Sequence, residues 1–278
     1  SSIPQRVKLG LSLCGLLPRL PLALAHQLRS LAAGAQMAAQ APLSLGHSAM
    51  LRTGPQSDIA AIRACTRASV TDIVLAALAA ALREVLPQAR SRSRPLLAFV
   101  PVMSGAPDLV CALDEHTGNR VSGFLLTLPT HERDPARRLE RIVAQTSVAK
   151  RSHIATILGW GVRTALWMLP REILPRLVPL AAACVSCCGI SSLRGPPAAH
   201  VGTASVRAIH FYGVFSPPRM PLMIGASSVG DRLVLSLGLT LGGATAQEVL
   251  EAVPGCLSEI RRAVGAPRDT SERASLLR

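Results

Sequence analysis

From Val121 to Leu128 the chain is apolar except at Ser122, Gly123 and Thr127, and it carries no charge. That pattern predicts a strand covered on both faces. A turn over His116-Thr117-Gly118-Asn119 feeds the strand, and Pro129 ends it. Gly118 suits a backbone that must take positive φ. Asn119, the only Asn in the chain, is the residue type that fixes a turn through its short amide. Gly123 inside a strand implies that another backbone or a ligand passes close by. An ordinary core strand and a strand that lines a binding site both fit these residues.

Leucines at helical spacing over residues 8–33, interrupted by Pro18 and Pro21, predict a kinked amphipathic helix. It would pack on the domain, on a partner domain, or lie on a membrane. Gly34, Pro42, Gly46, Gly54 and Pro55 mark residues 34–57 as a linker with at most one short strand. Ala68–Leu86 is apolar nearly all round and predicts a buried helix, capped by Ser69 or Thr71, with Asp72 in its first turn. Leu96–Met103 predicts a strand. Asp134 caps a helix with Pro135 at its first position. That helix runs to about Arg151, with Leu139, Ile142 and Val143 on its apolar side and Arg137, Arg138 and Arg141 largely opposite. Helices are predicted at Ile154–Leu169 and near Arg171–Leu180. Strands are predicted at Ala182–Ser192, Ala204–Tyr212, Leu222–Ser228 and Arg232–Leu239, the last two joined as a hairpin at Val229-Gly230-Asp231. A final helix covers Ala246–Val264. The expected organisation is an amphipathic, Leu-rich segment and linker at 1–43, one α/β domain at 44–264 with helices covering a mixed sheet, and a disordered tail at 265–278.

Composition narrows the class. The chain is 49% hydrophobic and 17% charged, with mean hydropathy +0.35, which is far from a disordered composition. Aromatic residues make up only 3%, so the core must be aliphatic. The formal charge is +14. A basic surface favours anionic lipid, CoA phosphates or nucleic acid without choosing among them. Arginines on the 134–151 helix have no interleaved aromatic residues, which argues against nucleic acid. No stretch is a clean membrane span, because Leu9–Ala25, Ile154–Leu169 and Ile173–Ile190 all carry Arg or Pro. Lying on a membrane is the expectation. The odd count of seven Cys makes no small-domain disulfide framework and implies reduced thiols in a cytosolic compartment. The chain opens Ser1-Ser2-Ile3 without Met, and residues are expected to precede it.

Candidate chemistry is sparse. Cys184, Cys187 and Cys188 form a CxxCC run with no second pair, which favours small core hydrophobes over a metal or redox site. The seven His are scattered, with no HExxH and no HxxxD spacing. No GxSxG, GxGxxG or Walker loop occurs. Ser192-Leu193-Arg194-Gly195-Pro196 is either a plain Gly-Pro turn or a loop that sets Arg194 near a phosphate or carboxylate.

Several of these segments, in order, resemble the C-terminal domain of the wax ester synthase/diacylglycerol acyltransferase family. Thr71-Asp72 resembles its Asn-Asp motif heading a buried helix, with Thr71 in place of Asn. Val100-Pro101-Val102 resembles its VPV strand. Gly118-Asn119-Arg120-Val121-Ser122-Gly123 and Leu128-Pro129-Thr130 match closely, followed by Asp134-Pro135 and Arg138-Leu139. Gly189–Pro196, GISSLRGP, looks like TVSNVPGP, with Ser192 in place of Asn. The resemblance implies a chloramphenicol-acetyltransferase-like, CoA-dependent fold. It implies the C-terminal half of an O-acyltransferase that makes triacylglycerol or wax esters, with acyl-CoA as cosubstrate and diacylglycerol or a fatty alcohol as acceptor. No bound cofactor or metal is implied. The catalytic HHxxxDG motif would lie in an N-terminal domain outside this chain. Its His would act as general base on the alcohol, while this half supplies the acyl and acceptor channel and the CoA side. The site residues so implied are Thr71, Asp72, Gly118, Asn119, Arg120, Ser122, Gly123, Pro129, Ser192, Arg194, Gly195 and Pro196. A place on the cytoplasmic face of a membrane, the endoplasmic reticulum or plasma membrane, or on a lipid droplet follows from the same resemblance. The alternative is a non-catalytic lipid-surface interaction protein built on that fold.

Overall fold

The structure is a computed structural model, and it describes residues 47–55, 57–90, 96–103, 121–170, 172–173, 188–193, 195–196, 200–210, 222–229, 232–239 and 245–266. The predicted 8–33 helix, the linker before His47, the third helix near 171–180 and the tail beyond Ala266 lie outside the described residues, apart from Glu172 and Ile173.

Strand β1 (His47–Pro55) leads into helix α1 (Ser57–Cys65) and helix α2 (Val70–Val85). A 3-10 turn at Pro87–Arg90 precedes β2 (Leu96–Met103), which pairs antiparallel with β3 (Val121–Leu128). Helices α3 (Pro135–Arg151) and α4 (Ile154–Met168) carry the chain to β4 (Cys188–Leu193). A two-residue ribbon, β5 (His200–Val201) with β6 (Ala204–Ser205), stands apart from the main sheet. Strands β7 (Leu222–Val229) and β8 (Arg232–Leu239) form the expected hairpin, and α5 (Ala246–Ala263) closes the fold. Among the described residues the main sheet has six strands in the order β1-β8-β7-β4-β2-β3. It is mixed: β2, β4 and β7 run parallel, and the other pairings are antiparallel. This is the expected α/β architecture.

One face of the sheet carries the core. Leu96, Ala98 and Val100 of β2, Phe124, Leu126 and Leu128 of β3, Cys188 and Ile190 of β4, Leu222, Ile224 and Ala226 of β7, and Leu233, Leu235 and Leu237 of β8 all join one buried cluster. Helices α2 and α5 supply its other wall. Every residue of α2 from Asp72 to Leu82 is buried, as the all-round apolar pattern requires. Each fully buried Ile or Leu there contributes about 1.5–3 kcal/mol. Cys188 is one of these core residues, while Cys184 and Cys187 lie outside the described residues.

Helix ends explain themselves locally. Ser69, not Thr71, caps α2: its Oγ accepts from Asp72 N, and Asp72 Oδ2 accepts from Ser69 N at 2.8 Å. Asp134 caps α3 by accepting from Ala136 N at 2.9 Å, with Pro135 following. Thr245 and Glu248 form a second capping box on α5. The two N–H and O–H donors of Thr245 hold the exposed Glu248 carboxyl below its usual range.

Three expectations are corrected. Helix α1 begins where the expected linker ends and occupies residues for which no element was expected, and its anchor is tertiary. Arg261 Nε of α5 lies 3.1 Å from Asp58 Oδ1, off the line of a hydrogen bond, and Ser258 Oγ donates to Asp58 Oδ2 at 3.1 Å. The strand expected at Ala204–Tyr212 is not a long strand over its described residues, 204–210. A turn at Gly202, with φ of 60°, folds the segment into the short β5-β6 ribbon, and residues 206–210 carry no regular structure. There the Ile209 carbonyl accepts from the Ser227 hydroxyl. Arg138 does not share the exposed side of α3 with Arg137 and Arg141. It is 3% exposed, and its guanidinium donates to Glu132 O and Arg133 O.

Candidate functional site

The sheet changes its direction of growth between β2 and β4. From β2 the chain steps outward to β3, returns through α3 and α4, and lays β4 on the opposite side of β2; β7, β8 and β1 then extend the sheet the other way. In open α/β sheets the crevice beyond the carboxyl ends of strands at such a switch point is where ligands bind. Pairing across the switch is only two residues deep, Ala98 with Cys188 and Phe99 with Gly189. Beyond it β2 remains paired with β3 and β4 remains paired with β7, but β2 and β4 no longer pair with each other. The sheet is therefore split at the carboxyl ends of β2 and β4. Val102, 39% exposed, and Leu193, 56% exposed, stand at the two lips beside the exposed Ser192 and the half-buried Pro101 and Ser191.

Close packing fixes both walls. On the β3 side, Gly123 is opposite Pro101. A Cβ at Gly123 would fall 2.4 Å from Phe99 Cζ and 2.7 Å from the Val100 carbonyl oxygen, so the Phe99 ring lies across the bare backbone. The neighbouring Ser122 hydroxyl donates to the Ala155 carbonyl of α4. Gly159, one turn on, leaves room for it: a Cβ there would meet Ser122 Oγ at 2.9 Å. On the β4 side, Gly195 follows the strand and presses on the end of β7. Its N–H donates to Ser228 Oγ at 3.2 Å, and a Cβ on it would lie 1.8 Å from the Ser228 carbonyl oxygen.

The amino end of α2 sits at the same end of the sheet. Lys150, near the carboxyl end of α3, brings Nζ within 4.0 Å of Asp72 Oδ2, and α4 begins four residues later beside Ser122. Asp72 is 3% exposed; its Oδ2 is committed to the capping box, and its Oδ1 is buried without a hydrogen-bond partner among the described residues. Asp72 is thus built into the helix start as a cap.

The structure gathers Ser122, Gly123, Ser192, Gly195 and Pro196 around the split, with Thr71 and Asp72 at the helix start of the same end. Pro129 lies at the far end, where β3 leaves the sheet. There Thr130 Oγ1 donates to Ala89 O at 2.5 Å, Arg83 donates to Thr130 O and His131 O, and Arg141 pairs with Glu132 at 3.0 Å. The Leu-Pro-Thr segment is a structural clamp. Gly118, Asn119, Arg120 and Arg194 lie outside the described residues. Sequence reasoning missed Phe99, Ala155, Gly159 and Ser228. Of these, only Gly159, a glycine inside a helix, carried a local signal.

The perturbed ionisable groups lie elsewhere. Burial lowers the Arg138 guanidinium from its usual value. Burial, then the Glu84 and Glu259 carboxylates, push the Cys256 thiol up to about 12. Among the described residues no three His, Cys, Asp or Glu side chains cluster as a metal site. The crevice offers hydroxyls, peptide groups and apolar lips, which suit binding and orienting a largely apolar ligand.

Comparison with known proteins adds a family. The family model of the WS/DGAT C-terminal domain matches residues 117–259, from the turn before β3 to within α5. A Mycobacterium tuberculosis protein named for diacylglycerol O-acyltransferase activity is 32% identical over 228 residues, covering 75% of this chain and 44% of that protein. A Mycobacterium bovis protein named for the same activity is 30% identical over 196 residues, covering 66% and 38%. The chain spans less than half the length of these curated relatives. Among solved structures, the wax ester synthase/diacylglycerol acyltransferase of Marinobacter aquaeolei VT8 superposes with TM-score 0.53 at 21% identity, over 85% of this chain and 56% of that one. The condensation domain of monacolin K polyketide synthase superposes with TM-score 0.51 at 12% identity, over 81% and 48%. At these identities the superpositions show a shared fold.

Proposed function

The chain belongs to the WS/DGAT C-terminal domain family, and from that premise we propose that it is the carboxyl-terminal part of an acyl-CoA-dependent O-acyltransferase that makes triacylglycerol or wax esters. The observation that carries the reading is the coincidence of the family match with the split in the sheet. Ser122, Gly123, Ser192 and Gly195 fall within the matched residues and around one crevice. In this reading the crevice lines part of the channel for the acyl chain and the acceptor and faces the CoA side. A general-base His from an HHxxxDG segment outside this chain takes the proton of the acceptor hydroxyl. The new bond forms between acceptor oxygen and acyl carbon, the thioester C–S bond breaks, and the proton leaves on the CoA thiol. The acceptor is diacylglycerol or a long-chain alcohol, and the reaction takes place at a lipid surface on the cytoplasmic side.

The test is transfer of a radiolabelled acyl group from acyl-CoA to diacylglycerol and to a long-chain alcohol, with the complete product of the gene. Labelled triacylglycerol or wax ester, with release of CoA thiol, is expected. Hydrolysis alone, or no turnover with either acceptor, overturns the reading.

A further inference from the structure

Phe99 stands at the root of the split. It is the last residue of β2 that pairs with β4, and its partner there is Gly189. Ala98 and Val100 on either side of it both join the core cluster, so strand alternation turns Phe99 to the opposite face. On that face glycines flank it. Gly189 lies between Cys188 and Ile190, which also face the core, and so presents bare backbone beside Phe99. Gly123 lies opposite Pro101, two residues nearer the carboxyl end of β2. The ring leans over Gly123, where a Cβ would fall 2.5 Å from Phe99 Cε2. It therefore tilts towards the end at which the split opens and leaves Gly189 uncovered by its ring.

The same-face neighbours Leu97 and Leu125 are buried, whereas Phe99 is only half-buried. Its ring keeps surface that a ligand can reach. The lips, Val102 and Leu193, lie three residues beyond Phe99 and four beyond Gly189, which makes the slot about 10–13 Å deep. No charged residue occurs from Phe99 to Val102 or from Gly189 to Leu193. An uncharged slot closed by a phenyl ring suits an unbranched hydrocarbon chain.

We propose that Phe99 is the stop at the closed end of this slot and sets the length of hydrocarbon chain that the protein accepts, with Gly123 as the seat that holds the ring aside. The inference rests on the acyltransferase reading above and gives it a specificity-determining residue. Two substrates of that reaction carry such a chain, the acyl-CoA and the long-chain alcohol. Opposite changes at the stop have opposite effects. Phe99→Ala removes the ring and deepens the slot. Gly123→Ala fills the seat, and because the Val100 oxygen, 2.7 Å from the new methyl, is backbone, the ring is the group that yields, towards the bare Gly189.

The complete product of the gene is assayed for kcat/KM with saturated acyl-CoAs of graded length at one acceptor, then with alcohols of graded length at one acyl-CoA. Phe99→Ala is expected to move the optimum to longer chains in one of the two series, each further methylene buried being worth about fourfold. Gly123→Ala is expected to move it to shorter chains, with Phe99→Leu between wild type and Phe99→Ala. The series that shifts identifies the chain in the slot. Displacement of a fluorescent fatty acid by saturated fatty acids of graded length reads the same depth without turnover. Where Phe99→Ala lowers the melting midpoint, Phe99→Leu carries the test. Unmoved optima, an equal loss at every length, or shifts of both variants in the same direction overturn the proposal. Transfer by the wild type with unmoved optima in the variants removes only this inference. No transfer by the wild type removes the enzyme reading, and the displacement series then decides whether Phe99 is the stop.

Discussion

Substituting Gly195 by Ala tests the construction of the crevice at its least forgiving point. The added methyl would lie 1.8 Å from the Ser228 carbonyl oxygen and 3.0 Å from its carbon, whereas ordinary contact begins at 3.4 Å. The turn after β4 must therefore retreat by about 1.6 Å, because the obstacle is backbone in a paired strand and has no rotamer with which to yield. That retreat breaks the Gly195 N–H bond to Ser228 Oγ, now 3.2 Å, at a cost of about 0.5–1.5 kcal/mol. Overpacking strain in β7 adds about 1–3 kcal/mol, so the loss should be about 2–4 kcal/mol. Urea unfolding followed by circular dichroism would show it as a lower midpoint at unchanged slope. Ser228→Ala removes the hydroxyl but leaves the carbonyl, so it should cost only about 0.5–1.5 kcal/mol. If Gly195→Ala is no worse than Ser228→Ala, the close approach of turn and strand is not real and the β4 wall of the crevice is wrongly described.

Four further outcomes are expected. Gly123→Ala should cost about 1–3 kcal/mol, and adding Phe99→Ala should recover only part of it in a double-mutant cycle, because the Val100 oxygen stays 2.7 Å from the new methyl. Ser69→Ala should lower stability by about 1 kcal/mol in thermal melts, through loss of the α2 cap. Gln145→Ala should cost about 1–3 kcal/mol and raise the oligomer fraction in light scattering, because the Gln145 amide seals the outer edge of β3 with bonds of 2.8 and 2.9 Å to Thr127 N and O. The Cys256 thiol, raised from 9.0 to about 12, keeps its proton in the folded state after the unfolded chain has lost it. Its stability contribution is complete below pH 9.0 and is lost as pH rises towards about 12. Urea midpoints should fall across that window, and the fall should be shallower in Cys256→Ala.

What could be read from the chain and what could not divides by the range of the forces involved. The start of helix α3 was legible to the residue because Asp134 and Pro135 announce it, and α2 to within two residues because a continuous apolar run defines it, with the choice of Ser69 over Thr71 as cap left to the structure. β2, β3 and β8 begin where expected because Pro95, Arg120 and Asp231 interrupt the pattern just before them, and β3 ends where Pro129 follows it. Helix α1 was hidden behind Gly54 and Pro55, and what holds it, Arg261 and Ser258 on Asp58, comes some 200 residues later. Arg138 looked solvated on a helical wheel, yet the carbonyls of Glu132 and Arg133 turn inward to receive it. The motif residues of the candidate site were visible as types, but their common location was not. It depends on β4 lying between β2 and β7 and on a two-residue pairing that no local pattern encodes.

That strand order also explains why a single strand carries both a functional and a structural signature. Among the described residues β3 is an edge strand, although Leu125 and Leu126, which point to opposite faces, are both buried. An edge is an aggregation hazard unless something occupies it, and at Thr127 Gln145 does so with a side-chain amide that imitates a further strand. Five residues earlier the same strand meets α4 through Ser122 and yields its surface to Phe99 at Gly123. The sealed end and the glycine end therefore have opposite tolerances. A larger side chain at Thr127, which is half-buried, should disturb only local packing. The same change at Gly123 shifts Phe99 and with it the lip formed by Val102. If substitutions at both ends prove equally mild, β3 does not shape the crevice.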